Sequence, residues 1–183
     1  IGLALVGVGL LTLVAVGAHW YLSRSRSVSV AEPSPPIPLT SYPGIELNPT
    51  FSPDGSQVAF SWNGENQQNF DIYVKGIDNV DAVRLTRDPA RDMSPAWSPD
   101  GRHIAFAREG VVLLISPTGG AERTLADVRA GDIEWTLDSK ALIVSAGTFR
   151  KSQLLQLSVE TGKAKELTTP PTSQEIAYGD FNF

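Results

Sequence analysis

Hydrophobic and polar residues are distributed differently in the first part of the chain and in the remainder. Residues 1–18 (IGLALVGVGLLTLVAVGA) form an uninterrupted uncharged run, followed by His19, Trp20 and Tyr21. About 20 apolar helical residues cross the hydrocarbon core of a bilayer, and Trp and Tyr favour its interface with water. The pattern therefore predicts a transmembrane α-helix over residues 1–22, with the lipid bilayer as its partner.

The alternative for this run is the apolar core of a signal peptide. Val16–Ala18 is an acceptable small-residue cleavage site, but such a core has about 7–15 residues and this run is longer. The membrane span is therefore favoured. Arg24 and Arg26 follow it and by themselves indicate a cytoplasmic flank, but the positive-inside rule compares two flanks, so the orientation stays open here.

A basic and then proline-rich stretch separates the predicted span from the rest of the chain. It covers residues 23–38 and includes Pro33, Pro35, Pro36 and Pro38. Proline fixes φ and favours the extended polyproline conformation, so the stretch predicts a stiff linker.

Short segments of strand character recur after residue 39 at intervals of about 40 residues. The segments PTFSPDGSQVAF (49–60), PAWSPDGRHIAF (95–106) and IEWTLDSKALIV (133–144) align with one another. Each segment joins a strand that contains an aromatic residue to a strand rich in residues that favour β structure. Further strands such as DIYV (71–74) follow. Four antiparallel strands in about 40 residues make one β-propeller blade.

The last five residues bear on how many blades the chain contains. GDFNF (179–183) matches GDIEW (131–135), so a fourth blade begins where the sequence stops. Because propellers close with about four to eight blades, we expect an interior piece of a longer protein. The predicted fold is all-β: a partial β-propeller of about three four-stranded blades plus the start of a fourth, over residues 39–183, preceded by one transmembrane helix.

Each repeat carries a turn with an Asp at the same position. These turns contain Asp54 and Gly55, Asp100 and Gly101, and Asp138. A ring of carboxylates that binds cations is one interpretation. Because Asp is favoured in turns for hydrogen bonds to its own backbone, and Gly for φ > 0, the structural role is the stronger prediction.

Two further groups of residues are candidates for packing or binding. Phe51, Trp97 and Trp135 occupy one repeat position, which predicts the core between blades. The polar loop NGENQQNF (63–70) is longer than its counterpart in the second repeat. Because binding often resides in extended loops on a rigid scaffold, Trp62, Asn63, Asn66 and Phe70 are the candidate ligand or partner residues, with a solvated connection as the alternative.

Composition excludes several classes of function. The formal net charge is −5, and every Asp and Glu follows residue 26, so the blades lack the basic surface that binds nucleic acid. With no cysteine and two histidines, His19 and His103, neither a thiolate metal site nor a His-based triad can be assembled. No Gly-x-Ser-x-Gly or P-loop motif is present. We therefore expect no enzyme activity, metal or cofactor in this chain.

The repeated element (F/W)-S-P-D-G-x-x-(I/V)-A-F, with the later DIYV and RLT (84–86), resembles the TolB-type, WD-repeat-like β-propeller repeat. The resemblance covers about residues 39–183 and is weaker in the third repeat, where Leu137 and Ser139 replace Pro and Gly. Residues 60–75 are also similar to bacterial membrane regulators, in which a winged-helix or kinase domain precedes one membrane helix and an extracytoplasmic propeller.

This resemblance implies a function and a location. It implies an interaction or sensor module of a signalling or transcription regulator, which binds a protein or ligand from a periplasmic propeller anchored in the inner membrane. It leaves two alternatives: a TolB-like periplasmic envelope or transport accessory, and the propeller half of a prolyl-oligopeptidase-type peptidase.

Overall fold

Twelve short strands in the described residues form three four-stranded sheets. The computed structural model describes residues 16–20, 35–148 and 151–168. The first sheet contains β1 (Glu46–Phe51), β2 (Gln57–Trp62), β3 (Asp71–Gly76) and β4 (Val83–Arg84). The second contains β5 (Asp92–Trp97), β6 (Ile104–Arg108), β7 (Val111–Ile115) and β8 (Arg123–Asp127). The third contains β9 (Ala130–Trp135), β10 (Ala141–Thr148), β11 (Lys151–Ser158) and β12 (Ala164–Glu166).

Neighbouring strands in each sheet are consecutive in sequence and antiparallel, so every sheet is a simple meander. This arrangement is the blade of a β-propeller, and the prediction of three four-stranded blades is confirmed. The sheets belong to the second of two units into which the chain divides, Ile1–Pro38 and Leu39–Phe183.

The predicted membrane helix and the start of a fourth blade fall largely outside the described residues. Of residues 1–22, only 16–20 are described, and they are helical. Within the described part of the chain, no helix combines the length and the apolar character needed to cross a membrane. Of the linker, residues 35–38 are described and have no regular secondary structure, and 179–183 lie outside the description.

Adjacent blades pack face to face through alternate residues of their strands. The core between the first and second blades contains Ala59, Ile72, Val74, Leu85, Trp97, Ile104, Phe106, Leu113 and Ile115. The core between the second and third contains Ala96, Ala105, Ala107, Val112, Leu114, Leu125, Ala130, Ile133, Leu142, Val144, Ala146, Leu155 and Leu157. Because side chains alternate across a strand, the second blade contributes one face to each core.

The aromatic residues at the shared repeat position differ in their surroundings. Trp97 is 8% exposed in the core between the first and second blades. Trp135 packs against the next core, and its Nε1 donates a hydrogen bond to the Ala96 carbonyl at 2.9 Å. Phe51 is 62% exposed, because no described sheet packs against its face of β1, and its place in a core between blades stays a prediction.

Proline interrupts the first strand of two blades at a β-bulge. Asn48 and Ser94 have positive φ values of 51° and 52°, and Pro49 and Pro95 follow them. The register between the first two strands shifts at both places. A bulge leaves one residue out of the ladder, so a proline without an N–H is tolerated there.

Glycine is required where the third blade meets the second. Gly162 has φ of +68°, and a side chain there would overlap the Leu125 carbonyl oxygen. Gly55 has a similar φ of +71° but open space around it. We expect Gly55→Ala to reduce the free energy of unfolding by about 1–2 kcal/mol through backbone strain. Gly162→Ala should reduce it by about 1–3 kcal/mol more, because the overlap adds to the strain.

Urea unfolding followed by circular dichroism measures both variants. If Gly162→Ala and Gly55→Ala reduce the free energy of unfolding equally, the contact with Leu125 does not constrain position 162.

Candidate functional site

The three repeated turns use their Asp side chains in the same way. Asp54 Oδ1 accepts hydrogen bonds from the Ser52 hydroxyl at 2.6 Å and from the Ser56 backbone N–H at 3.0 Å. Asp100 Oδ1 accepts the equivalent bonds from the Ser98 hydroxyl and the Arg102 N–H, and Asp138 Oδ1 from the Thr136 hydroxyl and the Lys140 N–H. Glycine takes positive φ in the first two turns, at Gly55 and Gly101, and Ser139 does so in the third. Each carboxylate thus stabilises its own turn.

These hydrogen bonds predict an unusually acidic carboxyl group at Asp54. The Ser52 hydroxyl, followed by the Ser56 groups, lowers the pKa of Asp54 to about 2. Because the folded-state pKa is lowered, the stabilising contribution is present at neutral pH and is lost as the pH falls through about 2. We expect an NMR titration to find this pKa and Ser52→Ala to raise it towards the usual value of about 3.9.

The matched control is Ser98→Ala, which removes the equivalent bond at Asp100 and should leave the Asp54 titration unchanged. A pKa near the usual value for Asp54 in the unmodified chain would contradict the hydrogen-bond geometry.

The predicted binding loop contains side chains of two kinds. Trp62 is 6% exposed: Tyr42 stacks on it at 4.8 Å between ring centroids, and Tyr73 contacts it edge-on at 4.8 Å. Phe70 is also 6% exposed, and the Arg91 guanidinium lies over its ring at 4.9 Å. These two aromatic residues anchor the ends of the loop through these contacts, and their predicted role in binding stays a prediction.

Some polar residues of the loop hold it in place through hydrogen bonds, and others are exposed to solvent. Asn63 is buried, and its Oδ1 accepts a hydrogen bond from the Ile45 N–H at 2.8 Å. Asn69 donates from Nδ2 to the carbonyls of Asp88 and Ala90. Asn66, by contrast, is exposed at the top of the loop. Asn66 is therefore the predicted residue that remains accessible to a ligand.

The loop forms one side of a polar cleft with a volume of about 360 Å³. The loop contributes Asn63, Gly64, Glu65, Asn66, Gln68 and Asn69, and the strands contribute Trp62, Asp71, Tyr73 and Arg84. The register brings the strand residues together, because Trp62 pairs with Asp71 and Tyr73 pairs with Arg84 across neighbouring strands. The cleft is therefore built on three adjacent strands and one loop.

The floor of this cleft contains a buried ion pair. Asp71 has a side-chain exposure of 2%, and the Arg84 Nη2 lies 2.5 Å from its Oδ2. Arg84 also donates from Nε to the Thr86 carbonyl at 3.0 Å. Burial raises the pKa of Asp71, and the charge and hydrogen bond of Arg84 act in the opposite direction. The partly exposed Arg84 thus pairs with a carboxyl group that is itself almost fully buried.

A second buried ion pair lies in the adjoining blade. The Arg108 guanidinium donates to Asp92 through two bonds of 2.7 and 2.8 Å, and the Asp92 side chain is fully buried. The same guanidinium reaches Glu122 at 2.6 Å and Asp88 at 3.4 Å. Burial raises the pKa of Asp92, and the Arg108 hydrogen bonds oppose that rise. Arg108 therefore links two carboxylates of the second blade with Asp88 in the connection between the blades.

Thr86 connects these pairs across the boundary between the blades. It is 1% exposed, its hydroxyl accepts the Ile72 N–H at 2.9 Å, and it lies 3.5 Å from Asp71 Oδ1. A hydrogen bond from Thr86 also lowers the pKa of Asp92. The network therefore fixes the first blade against the second beneath the cleft.

Asp71, Tyr73 and Arg84 were not among the site residues predicted from the sequence. The first two alternate in DIYV, which indicates one face of a strand, and Arg84 opens the recurring RLT element. This pattern predicts that the side chains lie on the same face of the sheet. It does not predict a cleft, because the 63–70 loop beside that face is a separate segment of the sequence. Among the described residues, no group of three or more His, Asp or Glu side chains is arranged to hold a metal ion.

Comparison with solved structures identifies the same fold elsewhere. TolB from Acinetobacter baumannii is 19% identical, with 68% of this chain and 32% of that chain covered and a TM-score of 0.59. A TolB candidate from Agrobacterium tumefaciens is 20% identical, with coverages of 72% and 52% and a TM-score of 0.63. The propeller domain of the Trilobed protease from Pyrococcus furiosus is 17% identical, with coverages of 71% and 43% and a TM-score of 0.52.

The chain spans about a third to a half of the length of these structures. At these identities the likeness shows the propeller fold alone. No curated protein matches the chain. A family model described as the TolB beta propeller domain matches residues 36–178, which is most of the chain. The three repeated blades and this match together show that the chain belongs to the TolB beta propeller domain family.

Proposed function

We propose that this chain is a membrane-anchored interaction module of a bacterial signalling or transcription regulator, with a propeller that binds a protein or ligand outside the cytoplasm. The observation that carries the proposal is the polar cleft beside the 63–70 loop, held by buried ion pairs on a TolB-type scaffold. Rigid sheets that present an extended loop commonly serve recognition. The apolar run over residues 1–22 and the linker over 23–38 supply the proposed anchor and spacer.

The location of the propeller can be tested with an alkaline phosphatase fusion, because this enzyme is active only outside the cytoplasm. We expect a fusion after Phe183 to be active in a bacterial host and to remain in the membrane fraction. A fusion in which residues 1–22 are deleted should be inactive and soluble. Phosphatase activity found only in the soluble periplasmic fraction would show that residues 1–22 do not anchor the chain. A lack of activity would show that the propeller is in the cytoplasm. Either result contradicts the proposal.

The regulatory role requires an output domain, and the reading frame upstream of the Ile1 codon tests it. We expect an in-frame winged-helix or kinase domain before the apolar run. A short basic leader there would instead favour the second candidate, an envelope or transport accessory, which the two TolB-type structures support through their likeness in fold.

A third candidate is the propeller part of a peptidase. The propeller of the Trilobed protease and dipeptidyl peptidase 4 from Porphyromonas gingivalis share the fold, at 17% identity each. This candidate requires a nucleophile elbow and a catalytic His encoded in the same gene after residue 183. Neither the regulator nor the accessory requires them, so the downstream reading frame separates the peptidase from the other two candidates.

A further inference from the structure

The polar cleft beside the 63–70 loop contains hydrogen-bonding groups that the fold itself does not use. Tyr73 is 8% exposed, and its hydroxyl has no hydrogen-bond partner among the described residues. That hydroxyl lies 3.5 Å from the point at which a side chain on Gly64 would begin, so it faces the cleft wall. Burial raises the pKa of Tyr73, so the hydroxyl remains a donor at neutral pH.

The loop adds amide groups that are similarly available. Asn63 uses its Oδ1 to hold Ile45, which leaves its Nδ2 as a donor to the cleft. Asn66 and Gln68 are exposed and line the cleft, with no partner among the described side chains. The exposed amides of Asn66 and Gln68 each offer donors and an acceptor together, and a phenol can also do both. The cleft is therefore suited to a ligand whose groups both donate and accept.

The charges around the cleft favour a neutral ligand. Asp71 and Arg84 neutralise each other through the ion pair in the floor. Glu65 adds one further carboxylate to the wall, which opposes an anion. A cation would meet the Arg84 guanidinium, whose side chain is 39% exposed. The charge of Glu65 is in turn offset by Arg87, because these two residues act electrostatically on Tyr73 in opposite directions.

The lining of the cleft is more polar than apolar. The ring of Trp62 is covered by Tyr42 and Tyr73, so it offers no face to a lipid chain or an apolar peptide side chain. The volume of about 360 Å³ lies at the small end of the range for small-molecule sites, about 300–1,000 Å³.

We propose that this cleft binds a neutral carbohydrate of one or two sugar units, with Tyr73, Asn63, Asn66 and Gln68 bonding to its hydroxyl groups. A sugar hydroxyl both donates and accepts, as the amides and the phenol do, and it carries no charge. The inference rests on the proposed role of the propeller as a binding module and names the ligand class of its cleft.

NMR titration of the full ¹⁵N-labelled chain tests this site. The chain is held in a detergent without a sugar headgroup and titrated with N-acetyl-D-glucosamine, N,N′-diacetylchitobiose and D-galactose. D-galacturonate, D-glucosamine and trialanine serve as anionic, cationic and peptide probes. We expect saturable shifts of the Asn63, Asn66 and Gln68 side-chain amides with at least one neutral sugar, and none with the charged or peptide probes.

Substitutions assign the binding to the cleft. Tyr73→Phe removes only the hydroxyl, and Gln68→Ala alters an exposed side chain that the fold does not use. Each should weaken binding roughly three- to tenfold, the effect of one lost hydrogen bond. The control Tyr42→Phe alters the other tyrosine on Trp62, whose hydroxyl bonds to the Val80 carbonyl, and Asn79→Ala alters an exposed amide in another loop. Both controls should bind as the unmodified chain does.

The proposal is overturned if no neutral sugar produces saturable shifts, if only a charged or peptide probe binds, or if Tyr73→Phe and Gln68→Ala leave the affinity unchanged. Because Gln68 is exposed, its variant folds irrespective of the outcome at Tyr73. Failure of sugar binding leaves the anchored regulator testable by the phosphatase fusion and the upstream reading frame, and failure of those tests leaves the sugar site intact.

Discussion

Replacing Trp97 with alanine is expected to reduce the free energy of unfolding by about 3–5 kcal/mol, the usual effect of truncating a large buried aromatic residue. Trp97 is 8% exposed between the first two blades, where it packs with residues such as Ala59 and Phe106. The matched control is Phe51→Ala at the same repeat position, where the side chain is 62% exposed. We expect Phe51→Ala to change the free energy of unfolding by no more than about 1 kcal/mol. Urea unfolding monitored by circular dichroism measures both.

Trp97→Phe provides a milder test if the alanine variant does not fold. The Trp97 Nε1 is buried and has no hydrogen-bond partner in the described structure, so phenylalanine removes an unsatisfied donor as well as volume. Its effect should therefore be clearly smaller than that of alanine. If Trp97→Ala and Phe51→Ala reduced the free energy of unfolding equally, the two side chains would be equally buried in solution, contrary to the structure.

Replacing Arg108 with glutamine should destabilise the chain by about 3–5 kcal/mol at neutral pH, because it leaves the fully buried Asp92 without its bidentate partner. The control is Arg102→Gln, which breaks the ion pair with Asp100 on the surface of the same blade, where the Arg102 side chain is 77% exposed. An exposed pair contributes little, so we expect a change within about 1 kcal/mol. Chemical unfolding at neutral pH measures both variants.

The pH dependence distinguishes a lost ion pair from lost packing. Arg108 opposes the burial that raises the pKa of Asp92, so its removal raises that pKa further. A carboxyl group with a raised folded-state pKa destabilises the fold when ionised, and the penalty disappears as the pH falls through that pKa. The difference between Arg108→Gln and the unmodified chain should therefore shrink on acidification. A difference that is constant with pH would assign the effect to packing alone.

The turns and the strand order could be predicted from local sequence. The Pro-Asp-Gly segments at Asp54 and Asp100 combine a fixed φ, an acceptor for nearby amides and a residue free to take positive φ, and all three operate within a few residues. The third turn, with Asp138 but without Pro or Gly, keeps the same hydrogen bonds because Thr136 and Lys140 supply the same donors.

The candidate site could be predicted only in part. The length of the 63–70 loop made it a candidate for binding, and the structure places a cleft beside it in which the rings of Trp62 and Phe70 are buried. Aromatic composition alone cannot distinguish a ring that faces a ligand from one covered by a neighbour. Tyr42 covers Trp62 from a segment 20 positions earlier in the chain, and no local pattern specifies that contact.

By itself, the sequence determined the repeat, the four-stranded blades and the chemistry of the turns, because hydrophobic alternation and turn propensity act over a few residues. Only the tertiary structure decided which equivalent residues are buried and which polar groups meet. Phe51 and Trp97 share a position in the repeat, but among the described residues a neighbouring blade packs against Trp97 and not against Phe51. Likewise, Asp71 and Arg84 meet because the register of neighbouring strands joins positions far apart in sequence.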